Sequence, residues 1–192
     1  MSSAPTKERL LEAAWSLMKR DAEKATLAAI AAEAGVSRQA LHLHFGARSG
    51  LLLEMVRWVD ERSAFFEKLE PIRELEDPAE RLRVYVCTWL DYLPALHPVP
   101  GYLARARSDV SAREAWNDRM EALESLYRRP LKELHVSGQL SDGLKPAAAL
   151  DLVRTIASVH AWEFLVHERG WSQKRTTRTL WSSVEAAILR RG

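Results

Sequence analysis

Arg38, Gln39 and Ala40 are consecutive, and their side chains offer three different ways of reading a base edge. A guanidinium donates two parallel hydrogen bonds, which suits guanine. A carboxamide donates and accepts, which suits adenine, and a methyl group suits the methyl of thymine. Nearby Thr26, Ser37, His42, His44 and Arg48 supply hydroxyls, imidazoles and a second guanidinium. Those groups hold phosphate oxygens and set register on a duplex without choosing its sequence. Residues 35–50 contain two arginines, two histidines and no acidic side chain, so nothing in the segment repels a polyanion.

Such side chains work only when a rigid element presents them together. The string from Thr26 to Phe45, TLAAIAAEAGVSRQALHLHF, has the layout of two short helices joined by a tight turn, a helix-turn-helix with the second helix as the reader. Thr26 and Ser37 stand at N-cap positions, and Gly35 permits the left-handed backbone between the helices. Ile30 and Ala31 face inward from the first helix, while Val36, Leu41 and Phe45 anchor the second. An ordinary helical hairpin shares this bare pattern. Two further features separate the two readings: Leu10, Ala14, Leu17 and Met18 recur at helical spacing upstream, and an apolar helix from Leu51 to Phe66 follows. Helices are therefore expected near 6–20, 27–34, 38–44 and 48–68.

Farther along, Asp77-Pro78 opens a helix whose apolar face runs through Leu82, Tyr85, Val86, Trp89, Leu90 and Leu93, with Pro94 and Pro98 ending it. A short helix is expected around 101–107, and Ser111 with Glu114 reads as a capping box for a long helix through Trp116, Met120, Leu123 and Leu126. After the turn at 137–143, residues 146–168 are apolar on nearly every side, which predicts one helix buried all round. A last helix over 173–190 carries Leu180, Trp181, Val184, Ala187 and Ile188 on one face. No strand is expected; the fold class is all-α.

The string from Thr26 to Phe45, followed by Arg48 and Leu51-Leu52-Leu53, resembles the tetracycline-repressor-like (TetR) family of bacterial transcriptional regulators over residues 7–58. Three positions depart from that family: His42 replaces its usual tyrosine, Arg48 its usual lysine, and no Gly-aromatic pair stands near Asp21–Glu23. The resemblance implies an N-terminal DNA-binding domain over 1–50 and a C-terminal domain over 51–192 that dimerises and binds an effector. It further implies a repressor that sits on palindromic operator DNA as a homodimer and leaves it when a small molecule binds. Trp89, Tyr92, Tyr102, Trp116 and Tyr127, with Met120 and Leu123, fall where family members enclose a pocket, although packing alone accounts for them too. The apolar stretch 146–168 and the last helix place a dimer contact at Ile156, Val159, Leu180 and Val184.

Composition narrows the alternatives. The chain has 192 residues, 47% of them hydrophobic, and a net charge of +2, an ordinary globular make-up too mild in charge to establish a nucleic-acid partner by itself. Arg169, Lys174, Arg175, Arg178, Arg190 and Arg191 face only Glu185 near the end, a pattern that fits a solvated helix face. Arg105, Arg107 and Arg113 would either edge an anion site or face water. Cys87 is the sole cysteine, so no internal disulfide forms. With no leader pattern and no long apolar run, a cytoplasmic protein off the membrane is expected.

No nucleophile elbow, phosphate loop or paired-carboxylate motif is present, and no enzyme activity or cofactor is expected. His42 and His44, two residues apart on a helix, point in different directions. His160, Glu163 and His167 share a face but read as hydrogen-bonding partners, so no metal is expected. Two rivals remain: a DNA-binding regulator without an effector, and a helical carrier or enzyme whose hairpin only looks like a reader.

Overall fold

The computed structural model describes residues 3–21, 24–97, 99 and 110–190. Its described residues form helices and turns, with one isolated antiparallel bridge between Leu140 and Leu189. Two compact units result: residues 1–63 with 95–118, and residues 64–94 with 119–192. The boundary expected at residue 50 falls inside a helix whose Leu51, Leu52, Met55 and Val56 belong to the first unit's core.

The first unit contains α1 (Ser3–Arg20), α2 (Leu27–Glu33), α3 (Arg38–Phe45) and α4 (Arg48–Ser63). Leu10, Ala14 and Met18 of α1, Ile30 and Ala31 of α2, and Leu41 and Phe45 of α3 are all buried in its core, with Leu17 and Val36 partly buried against them. The caps are as expected: Thr26 Oγ1 accepts from the Ala29 amide at 3.2 Å, and Ser37 Oγ accepts from the Ala40 amide at 3.1 Å. Gly35 takes φ +65°, the left-handed turn that lets α3 leave α2 within a few residues. Trp15 and Trp58 meet edge to face at 6.2 Å, and Lys7 pairs with Glu54 at 2.6 Å, joining α1 to α4. That Lys7 hydrogen bond holds the Glu54 carboxyl below its ordinary range.

Gly50 is needed for a different reason. A Cβ there would stand 2.0 Å from the Phe45 carbonyl oxygen, which closes α3. Because the obstacle is backbone, α3 and α4 would have to separate. Gly50→Ala is expected to cost about 1–3 kcal/mol. A lowered melting transition by circular dichroism, with DNA binding lost in parallel, checks this; unchanged melting contradicts it.

The second unit contains α5 (Phe65–Leu69), a 3₁₀ turn (Pro71–Glu74), most of α6 (Pro78–Leu96) and of α7 (Val110–Val136), then α8 (Pro146–Ile156), α9 (Val159–Glu163) and α10 (Gln173–Ile188). Several expectations are revised. The helix expected over 48–68 breaks at Ala64, whose φ of +50° is left-handed and costs an L-residue about 1–2 kcal/mol. The α6 helix passes through Pro94, which is exposed, and reaches Leu96; proline removes one backbone donor there without ending the helix. The α7 helix likewise runs through Pro130. The helix expected around 101–107 and the terminator Pro98 lie outside the described residues.

The helix expected to be buried all round over 146–168 is two helices. Ala157 ends α8, and Ser158 starts α9 as its N-cap, accepting from the Ala161 amide at 3.1 Å. The chain then widens into a π turn over Phe164–Glu168. Asp151, Arg154, Thr155 and His160 are exposed, so each short helix buries only one side.

Buried polar groups tie this unit together. Trp89 Nε1 donates to the Ala157 carbonyl (3.0 Å), Trp162 Nε1 to Gln173 Oε1 (2.7 Å), Gln173 Nε2 to the Leu90 carbonyl (2.9 Å), and Thr177 Oγ1 to Asp91 Oδ1 (2.6 Å). Arg81 is buried and donates to the Leu75 and Glu76 carbonyls and to Glu133. Burial pushes the half-buried Cys87 thiol up to about 11, so it stays protonated and is no nucleophile at neutral pH.

Candidate nucleic-acid interface and effector cavity

The α3 helix is held from one side only. Leu41 is 1% exposed and Phe45 7%, and these residues, four apart, define its inner face. Arg38, Gln39, His42 and Leu43 are exposed, whereas Ala40 and His44 are half-buried beside the core face. Arg38 and Gln39, in the first turn, therefore project from the unit as base-reading groups would, and Ala40 is partly covered. Ser37 accepts from the Ala40 amide but keeps its hydroxyl proton to donate, as Thr26 does. Arg48 is half-buried, and its Nη2 donates to the Ala25 carbonyl at 3.4 Å, tying the start of α4 to the entry of α2.

The second unit holds a cavity of about 220 Å³ lined by Phe65, Phe66, Leu69, Trp89, Met120, Leu123 and Leu126, with Glu70, Arg73, Arg119, Ala122 and Ser125 also at its wall. Three expected effector residues, Trp89, Met120 and Leu123, are among these. Tyr92 stands behind, stacked on Phe65 at 4.3 Å and accepting a hydrogen bond from Arg119 at 3.4 Å. Trp116 is not in this wall and belongs to the first unit. Tyr102, Arg105 and Arg107 lie outside the described residues.

Residues 10–55, which include the caps, Gly35 and all of α3, match the family model of bacterial regulatory proteins, tetR family. Residues 10–55 are thus a tetR-family segment. No curated protein matches it in sequence. Solved structures resemble it along their whole length. A putative transcriptional regulator from Saccharomonospora viridis, in complex with choline, is 22% identical, with 98% of this chain and 100% of that one covered and a TM-score of 0.73. The Bacillus subtilis transcriptional regulator FadR, in complex with stearoyl-CoA, is 17% identical over 94% and 98% of the chains, with a TM-score of 0.74. NalD, the secondary repressor of the MexAB-OprM multidrug efflux pump in Pseudomonas aeruginosa, is 20% identical over 99% and 98%, with a TM-score of 0.68. At these identities the likeness establishes the all-helical fold.

The residues expected at a dimer contact do not share one environment. Val159, Leu180 and Val184 are 8%, 6% and 0% exposed in the single chain. Their partners are inside the protomer, so a charge at Val184 would test folding rather than assembly. Ile156 is half-buried, and Phe164 remains 48% exposed. His167 of the π turn lies edge-on to Trp162 at 5.2 Å, while His160 points to solvent. Among the described residues no three His, Cys, Asp or Glu side chains gather as a metal site would require, and no helix is long and apolar enough to cross a membrane. Sequence reading missed Phe65, Phe66 and Arg119 in the cavity.

His42, exposed on α3, is bonded to the turn that closes its own helix. Its Nδ1 is bonded to the Gly46 carbonyl, which can only accept, so Nδ1 carries the proton. Nε2 is the ring's remaining polar atom, and it becomes an N–H donor only when the imidazole is charged.

Proposed function

We propose that this protein is a tetR-family regulator that binds operator DNA as a homodimer, each subunit laying α3 in the major groove, and that a small, largely apolar effector in the second unit's cavity releases it. The observation that carries the DNA half is the one-sided holding of α3: Leu41 and Phe45 inward, Arg38, Gln39 and His42 outward, with no acidic residue between 35 and 50. Guanidinium, carboxamide and imidazole groups on one exposed helix are matched to base edges and phosphates. Arg48 and Ser37 fix register, and the operator is an inverted repeat because the protein dimer is two-fold symmetric.

The effector half rests on the cavity. Its volume, about 220 Å³, lies between an engineered 150 Å³ cavity that takes benzene and the roughly 300 Å³ lower bound of drug-sized pockets. A single ring system with short substituents fits that range. Complexes of the similar regulators with choline and stearoyl-CoA, and the repressor role of NalD, support a ligand-controlled repressor working in the cytoplasm. Dimerisation would use the outer sides of α8 to α10 and the π turn, where Ile156 and Phe164 remain accessible. Incubating the purified chain with sheared genomic DNA and sequencing what it retains tests the reading. A shared inverted repeat among retained fragments is expected, and retention without any shared sequence refutes it.

A further inference from the structure

Leu43 is 82% exposed, more than any other large hydrophobic among the described residues. Isolated exposed leucines are common and by themselves mean nothing. The position of this one is what matters. At about 100° per residue, Leu43 points about 180° away from the mean direction of Leu41 and Phe45, the two side chains that seat α3. Gln39, one turn earlier, and Ala40 flank it on the wheel, and Ala40 is half covered by the unit. Leu43 is thus the side chain most directly presented by the reading helix. The surroundings select a polyanion, since Arg38, His42, His44 and Arg48 lie nearby in the chain and no acid does.

We propose that Leu43 is a specificity-determining residue that packs against the 5-methyl group of a thymine in each operator half-site, an inference that rests on the DNA-binding reading above. Leucine has no polar atom to offer a base. In the major groove guanine, adenine and cytosine present donors and acceptors, and only thymine adds an apolar group. Against the other bases an isobutyl group displaces water from polar edges and returns no hydrogen bond, so it selects by exclusion as well as by contact. Gln39 and Leu43 are four residues apart on α3, about 6 Å along its axis, which spans about two base-pair steps. An adenine read by Gln39 and the thymine read by Leu43 therefore lie within about two base pairs of each other.

The test uses the full chain and the sequence it retains from genomic DNA, synthesised with each thymine replaced singly by deoxyuridine. One thymine per half-site is expected to be sensitive, methyl removal weakening wild-type binding about fourfold. In Leu43→Ala the same replacement should have no effect, while binding to random duplex DNA and the melting temperature stay at wild-type values. Leu43→Asn should move the preference at that position away from thymine. If every deoxyuridine penalty persists in Leu43→Ala, the proposal is overturned while DNA recognition stands. If the chain retains no shared sequence at all, both readings fall together.

Discussion

Arg38→Ala and Gln39→Ala are each expected to lower affinity for the operator between about thirtyfold and about twenty-thousandfold, while binding to random DNA changes far less. Both side chains are exposed in the first turn of α3, where a reading helix meets base edges. A bidentate contact discriminates by about 1–3 kcal/mol, and a symmetric dimer loses it twice, giving about 2–6 kcal/mol. Gln39→Ala removes no charge, so its salt dependence should match wild type. Arg38→Ala also removes a cation, and the slope of log affinity against log salt should shrink slightly. Arg48→Ala should instead weaken all sequences alike, with some loss of stability because its Nη2 also serves the Ala25 carbonyl. Titrations of the three variants on operator and on random duplex over a salt series decide the matter. Equal losses on both DNAs for Arg38→Ala and Gln39→Ala would show that α3 does not read sequence.

Binding of an effector in the cavity beside Phe65, Trp89, Met120 and Leu123 is expected to reduce operator affinity about a hundredfold. That loss needs about 2.7 kcal/mol of coupling, which a ligand supplies only through its preference for the DNA-incompetent dimer. Tight binding to both states would shift nothing. Reciprocity follows: saturating operator must weaken the ligand by the same factor. A panel of small aromatic compounds, titrated by tryptophan fluorescence with and without operator, measures both sides. Leu123→Trp, which fills the cavity, should abolish the ligand response and leave operator affinity near wild type. A compound that binds in the cavity without changing operator affinity would favour a regulator whose cavity does not control DNA.

The parts of this protein that sequence reveals are those set by neighbours in the chain. Thr26 and Ser37 cap helices through amides three residues on, and Gly35 turns the backbone where it stands. Leu41 and Phe45 point inward because helical spacing requires it. The Ser158 cap was equally local, but it sat inside a long apolar run whose continuity suggested a single helix. Val184 shows a harder limit, since burial by the chain's own helices and burial by a second subunit demand the same apolar side chains; only packing shows that Val184 is 0% exposed already. The cavity was half legible. Trp89, Met120 and Leu123 stood out on their helices, whereas Phe65 and Phe66 reach its wall through a left-handed residue, Ala64, that carries no local signal. Leu43 carries no signal of its own, because an exposed leucine looks like any other apolar helix position until its neighbours are placed.

Hydroxyl-radical footprinting of the protein on a retained genomic site looks at the mode of binding itself. Two α3 helices in successive major grooves should protect two patches on one side of the duplex, related by a two-fold axis and centred about 10 base pairs apart. His42, Ser37 and Arg48, placed around α3, would account for the flanking phosphate protection. A single protected patch, or uniform weak protection along the fragment, would contradict recognition by a symmetric pair of α3 helices.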